Sequence, residues 1–225
     1  MAATVDAVAF QQVAGKLNVD ICVITVYTMN SRKEAYTVVS WDEFEAECRK
    51  CTKCPLHETR TNVVLGVGNR SADILFIGEG PGESEDIKGE PFVGRAGVLL
   101  DDMLRIIGLD RAKNIYIANI VKCRPPNNRD PRTDEREACM DWLKIQCSLI
   151  KPKIVICLGR IAATELISVD FKITRDHGKW FDKDGAKIMA LYHPAALLRD
   201  PNRKPETFMD LKALERMIKE QGILV

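Results

Sequence analysis

Short apolar runs ending in Gly or a polar residue alternate with amphipathic stretches from Asp73 to the C-terminus, and this alternation constrains the fold more than any other feature of the chain. DILFIGEG, NIYIANIVKC, KIVICLG and AKIMALYHP read as strands, apolar along most of their length as strands buried on both faces are. Between them, AGVLLDDMLRIIG carries a helical stripe of Val98, Leu99, Met103, Ile106 and Ile107, stopped by Gly108. TDEREACMDWLKIQCSLI reads as a helix capped by Thr133, with Pro152 just beyond its end. Further helices are expected from Arg160 to Ile167 and from Glu206 to Gln221. The alternation predicts an α/β fold, a three-layer αβα arrangement around a central, mainly parallel four-stranded sheet. Ligands of such sheets bind at the carboxyl ends of the strands. The loops at 78–97, 122–133 and 193–201 follow those ends and are expected to meet on one rim.

Upstream, residues 1–40 carry no readable motif and form an extension of unknown structure; residues 41–225 are expected to form one domain. DICVITVYTM has strand character but is broken by Asn30-Ser31-Arg32-Lys33. SWDEFEAECRKC reads as a helix capped by Ser40. Apolar residues make up 46% of the chain and charged residues 29%, the balance of a soluble globular protein. The apolar run Ile21–Tyr27 is too short to span a bilayer, and no Lys or Arg precedes Lys16. A cytoplasmic monomer with no membrane partner is expected. The net charge of +1 offers no global attraction to nucleic acid, so local charge matters. Glu79–Glu90 carries five acids and one Lys, whereas Lys122–Arg136 carries five bases against three acids.

Cysteines supply the first chemical motif. Cys51-x2-Cys54, followed by Cys123 and Cys139, offers four thiolates, the count of a [4Fe–4S] cluster or a structural zinc. Cys123 and Cys139 lack a nearby Cys or His, so a zinc finger with paired ligands fits poorly; spacing alone leaves cluster and zinc open. Cys48, one helical turn before Cys51, is a rival ligand. Cys22, Cys147 and Cys157 lie in apolar stretches and read as ordinary buried thiols. The loop GEGPGESEDIKGEPFVGRAG is Gly-rich but matches neither GxGxxG nor a P-loop, and its acidity repels triphosphates. Carboxylates at a strand end suit general-base or cation-stabilising chemistry. Asn119 is polar within an apolar strand, so its amide is either a structural bridge or a ligand reader. The basic, Pro-stiffened loop after it suits phosphate contacts. His193 stands where the last strand gives way to a loop.

GEGPGESED…GEPFVGRAG, NIVKCRPPNNRDP and HPAALLRDP, with the four cysteines, resemble the family 4 uracil-DNA glycosylases, the iron–sulfur, thermostable-type branch of that superfamily. The similarity runs from about Trp41 to the last helix. It implies a [4Fe–4S] cluster on Cys51, Cys54, Cys123 and Cys139, and hydrolysis of the uracil–sugar bond in DNA. It implies Glu79 and His193 as catalytic residues, with Gly80, Phe92, Asn119 and His193 around uracil. Other glycosylase families carry an Asp near the position of Gly80, so Glu83, Glu85 and Asp86 stay beside Glu79 as candidates for activating water. Arg124, Arg129 and Arg199 are expected on DNA phosphates, and Leu197 or Leu198 as the wedge that fills the flipped base's place. A related branch cross-links to DNA through a His after the second strand; no His lies between His57 and His177, so no cross-link is expected. The rival readings are a non-catalytic, glycosylase-like DNA-binding module and an iron–sulfur redox protein.

Overall fold

The computed structural model describes residues 40–225; the expected strand at DICVITVYTM and the thiol of Cys22 lie outside the described residues. Ser40 Oγ accepts the Glu43 N–H at 3.2 Å and starts α1, Trp41–Arg49. A short 3-10 turn at Pro55–Glu58 leads to β1 (Val67–Gly68), β2 (Ile74–Gly78), α2 (Glu83–Lys88) and α3 (Arg95–Arg105). Then come β3 (Ile115–Asn119), α4 (Thr133–Ile150), β4 (Ile154–Leu158), α5 (Arg160–Leu166) and α6 (Ile173–Asp176). β5 (Trp180–Lys183), β6 (Ala186–Leu191), α7 (Pro194–Arg199) and α8 (Lys204–Glu220) complete the described chain. Among the described residues no helix is long and apolar enough to cross a membrane.

The sheet runs β1-β3-β2-β4-β6-β5. The expected strands β3, β2, β4 and β6 form its parallel centre. Two antiparallel edge strands, β1 and β5, extend it to six. β1 has only two residues and β5 is partly exposed, so neither shows an apolar run. Asp184 and Gly185, both at positive φ (50° and 82°), close the β5–β6 hairpin as an Asp-Gly turn does.

Side chains alternate across the pleat and divide the core. Leu75, Ile77, Ala118, Val155 and Cys157 pack with α1, α4 and α5 on one face. Ile74, Phe76, Ile117, Ile156 and Met189 pack with α3, α7 and α8 on the other. Each fully buried Leu or Ile contributes about 1.5–3 kcal/mol, so both helical layers are held chiefly by these two faces.

Two sequence expectations shift here. In α3 the buried stripe is Gly97, Leu100, Met103 and Leu104, continued by Ile107. Val98 and Ile106 are 60% and 48% exposed. A Cβ on Gly97 would lie 1.8 Å from the Phe92 carbonyl oxygen, and that close approach turns the Gly97 face inward. α4 begins at Thr133, but its cap is Arg132, whose N–H is accepted by Glu135 at 2.7 Å.

α2 is tied to the segment after the cysteine motif by one buried carboxylate. Asp86, 2% exposed, accepts the Thr61 N–H at 2.9 and 3.0 Å and the Asn62 N–H at 3.2 Å. Asp86→Ala should lower the unfolding free energy by about 2–3 kcal/mol in urea titrations, because it orphans amides bound to a charged acceptor. A loss under about 0.5 kcal/mol would mean that water replaces the carboxylate.

Candidate active site and thiol cavity

A cleft of about 530 Å³ opens at the carboxyl ends of β2, β3, β4 and β6, where the three loops meet. Gly78 stands opposite Asn119 at the end of the β2–β3 ladder. A Cβ on Gly78 would strike Asn119 Oδ1 at 2.4 Å and the Phe92 ring at 2.7 Å, so both side chains crowd the space it leaves. Asn119 is 2% exposed, and its Oδ1 is buried without a hydrogen-bond partner among the described residues. Such an acceptor carries a desolvation cost that a ligand's N–H removes.

Phe92 sits in the left-handed region at φ 53°, which a bulky residue adopts only when its surroundings hold it there. Arg111 is the clamp: it donates to the Pro91 and Phe92 carbonyls at 3.0 and 2.9 Å and pairs with Asp101. The Phe92 and His193 rings lie 5.5 Å apart at 31° and form two neighbouring walls. His193 caps α7, and the Ala195 N–H donates to its Nδ1 at 3.1 Å. Nδ1 therefore carries no proton, and the neutral ring holds its hydrogen on Nε2. Burial, helped by Arg199, lowers the His193 pKa to about 4, so the ring is neutral at pH 7.

Of the four candidate carboxylates, three are engaged. Asp86 holds backbone amides, Glu85 accepts the Val93 and Gly94 N–H groups at 3.0 and 2.9 Å, and exposed Glu83 faces Arg124 at 3.6 Å. Glu79 lines the cleft, and its carboxylate accepts no hydrogen bond among the described residues. Burial, with a further push from Asp130, raises its pKa to about 7; Arg160, Arg136 and Arg199 only partly offset this. Gly80 also lines the cleft, and a Cβ there would meet the Val121 side chain at 2.6 Å, so a larger residue requires that side chain to shift.

The expected DNA-facing residues divide. Arg199 is exposed and in no ion pair among the described residues. Arg124 is partly covered, with Nε donating to Asn128 Oδ1 at 2.8 Å. Arg129 lines the cleft, and its guanidinium pairs at 2.6 and 2.8 Å with Glu135, a carboxylate buried to 1% exposure. Leu197 is 1% exposed, in the core beneath α7. Leu198 beside it is 38% exposed.

Away from the cleft, Cys48, Cys51, Cys54, Cys123 and Cys139 line one small cavity, all as free thiols. Cys147 and Cys157 lie outside it. Trp142 Nε1 donates to Cys51 Sγ at 3.2 Å, Arg60 Nη1 to Cys123 Sγ at 3.2 Å, and the Lys122 N–H to Cys139 Sγ at 3.3 Å. Among the described residues no group of three or more His, Cys, Asp or Glu side chains is placed to hold a metal ion.

The uracil-DNA glycosylase superfamily model matches residues 65–215. The type-4 uracil-DNA glycosylase of Archaeoglobus fulgidus is 48% identical over 183 residues, covering 78% of this chain and 92% of that protein. The chain belongs to the type-4 uracil-DNA glycosylase family. The Thermotoga maritima type-4 enzyme is 41% identical over 198 residues, 86% of this chain and all of that one. That of Sulfurisphaera tokodaii is 43% identical over 187 residues, 79% and 84%.

Several residues of this type-4 site escape sequence reasoning. Gly159 and Arg160 join the cleft from the end of β4, and Arg160 pairs with Asp130 across its rim. The rule that placed the other loops there covers them too, since they directly follow KIVICL. Arg60 and Arg111 gave no signal, because the contacts that matter, backbone carbonyls for both and the Cys123 thiol for Arg60, cannot be read from residue type.

The two shifted groups act on stability in opposite directions. Glu79 rises from about 4.5 to about 7, so between those values the folded state keeps a proton that the unfolded chain has lost, and stability falls as pH rises. His193 drops from 6.5 to about 4, so the unfolded chain takes the proton first, and stability falls as pH falls through that window. Urea titrations at a series of pH values should therefore show the stability of Glu79→Gln relative to wild type growing from pH 4.5 to 7. That of His193→Asn should grow as pH falls from 6.5 to 4. Flat differences would put both groups in water-like surroundings.

Proposed function

We propose that the chain hydrolyses the bond between uracil and deoxyribose in DNA, leaving an abasic site and so initiating base excision repair. The observation that carries this reading is the unpartnered Oδ1 of Asn119 in a cleft shared with Phe92, a neutral His193 and Glu79. Uracil presents N3–H beside the O4 acceptor, and one Asn amide meets both. Cytosine reverses that edge, so the same amide faces like against like, a mismatch that a buried site rejects by roughly 10⁴-fold. Phe92 supplies a stacking face.

The base reaches this cleft only when turned out of the duplex, at about a few kcal/mol. Exposed Leu198 is suited to fill the gap, and exposed Arg199, in no ion pair among the described residues, to hold a phosphate. As the bond from N1 to C1′ breaks, its electron pair leaves with uracil and positive charge grows on the sugar. His193 Nε2–H donates to O2, where the negative charge collects. The Glu79 carboxylate faces the sugar cation and takes a proton from the water whose oxygen bonds to C1′. Its pKa of about 7 makes the active, ionised form grow with pH across neutrality.

Cys51, Cys54, Cys123 and Cys139 would hold a [4Fe–4S] cluster. These four thiols line one cavity, and each has an N–H donor: Trp142 for Cys51, the Leu56 backbone for Cys54, Arg60 for Cys123 and the Lys122 backbone for Cys139. Among the described residues Cys48 has no such donor. When bound, the cluster supplies a crosslink between α1's end, the loop after β3, and α4; no electron transfer enters the scheme.

Release of free uracil from a labelled oligonucleotide tests the reading, and binding without release would favour a non-catalytic module. Glu79→Gln should slow single-turnover excision roughly 10²-fold and remove its rise with pH. Wild-type rates in Glu79→Gln with a slow Glu85→Gln would transfer the role to Glu85. Purified protein should contain about four irons per chain. Cys51→Ala should lose iron and Cys48→Ala keep it; the reverse would exchange the two ligands.

A further inference from the structure

Between the thiol cavity and the cleft lies a charge that neither site accounts for. Lys122 is 1% exposed, lines the thiol cavity, and follows Asn119 by one turn of chain. Its Nζ donates to the Asn119 carbonyl at 2.9 Å and to Gln146 Oε1, while Gln146 Nε2 donates to the Leu65 carbonyl at 2.8 Å. The Lys122 N–H meets Cys139 Sγ, and its carbonyl accepts the Val64 N–H at 2.8 Å. Among the described residues Lys122 is in no ion pair with a carboxylate. Both oxygens that Nζ touches are neutral, and a buried ammonium without a counter-charge is strongly destabilising. The sulfurs that share its cavity are free thiols here and would become negative as ligands of a cluster.

We propose that Lys122 is a positioning residue with two linked roles: its ammonium is the internal counter-cation of the four-thiolate iron–sulfur site, and it pins the backbone of the uracil-reading Asn119. The inference rests on the cluster and uracil assignments above. The side chain is thus the physical link by which an assembled thiolate site holds the reading amide in register. A surface lysine could serve neither role, since solvent would screen the charge and leave Nζ free to move.

Two variants separate the roles. Lys122→Met removes both charge and pin; Gln146→Glu keeps an acceptor for Nζ but neutralises the ammonium locally. Film voltammetry of the iron-loaded proteins should show the cluster potential more negative than wild type in both, since each removes positive charge beside it. The inhibition constant for free uracil should rise about tenfold in Lys122→Met alone, with DNA binding unchanged. Unchanged potentials in both variants would overturn the counter-cation role, and an unchanged uracil constant in Lys122→Met the positioning role. If Lys122→Met fails to fold or to retain iron, an unshifted potential in Gln146→Glu is enough to overturn the proposal. Wild-type protein without iron or without uracil release would instead refute the underlying assignments.

Discussion

At the end of the β2–β3 ladder Gly78 faces Asn119, and the cleft is built outward from that pair of residues. The ladder fixes where the Asn119 amide emerges. The missing side chain of Gly78 leaves room for Asn119 and Phe92 to lie side by side. Past the ladder, the Ile120 N–H still bonds the Gly78 carbonyl at 2.9 Å and Val121 that of Glu79 at 3.1 Å, so pairing continues into both loops. Glu79 and Gly80 inherit their positions from it. A slip of one residue would exchange the two faces of the strand and put the Asn119 amide under a helix.

The parallel core was legible because its strands are short and apolar, and the rim followed from chain direction alone. What stayed hidden depends on partners distant in sequence. The α3 stripe is ambiguous by periodicity, since LL and II pairs satisfy two neighbouring faces, and only the contact of Gly97 with Phe92 selects one. Leu197 and Leu198 are indistinguishable in sequence, yet one completes the core and the other faces solvent. The basic look of the 122–136 segment misleads for the same reason. Arg129, Arg136 and Arg124 each face a carboxylate, and only the fold brings Glu165 and Glu83 into range.

Charge is thus managed locally on this rim. Acidic and basic residues that appear as separate blocks in the chain interleave in space, which fits a net charge near zero on a proposed DNA-binding protein. Among the described residues Arg199 is in no ion pair, so it can meet a phosphate without first breaking one. Its position beside His193 and Glu79 places that contact near the proposed chemistry.

The Arg129–Glu135 pair fastens the loop after β3 to the start of α4 through a carboxylate that is almost wholly buried. Hydration of charged groups becomes less favourable on heating, so the desolvation penalty of such a pair shrinks as temperature rises, whereas the gain from apolar contacts levels off. Heating therefore lowers the cost of burying the charge that attaches this loop, beside Cys123, to α4.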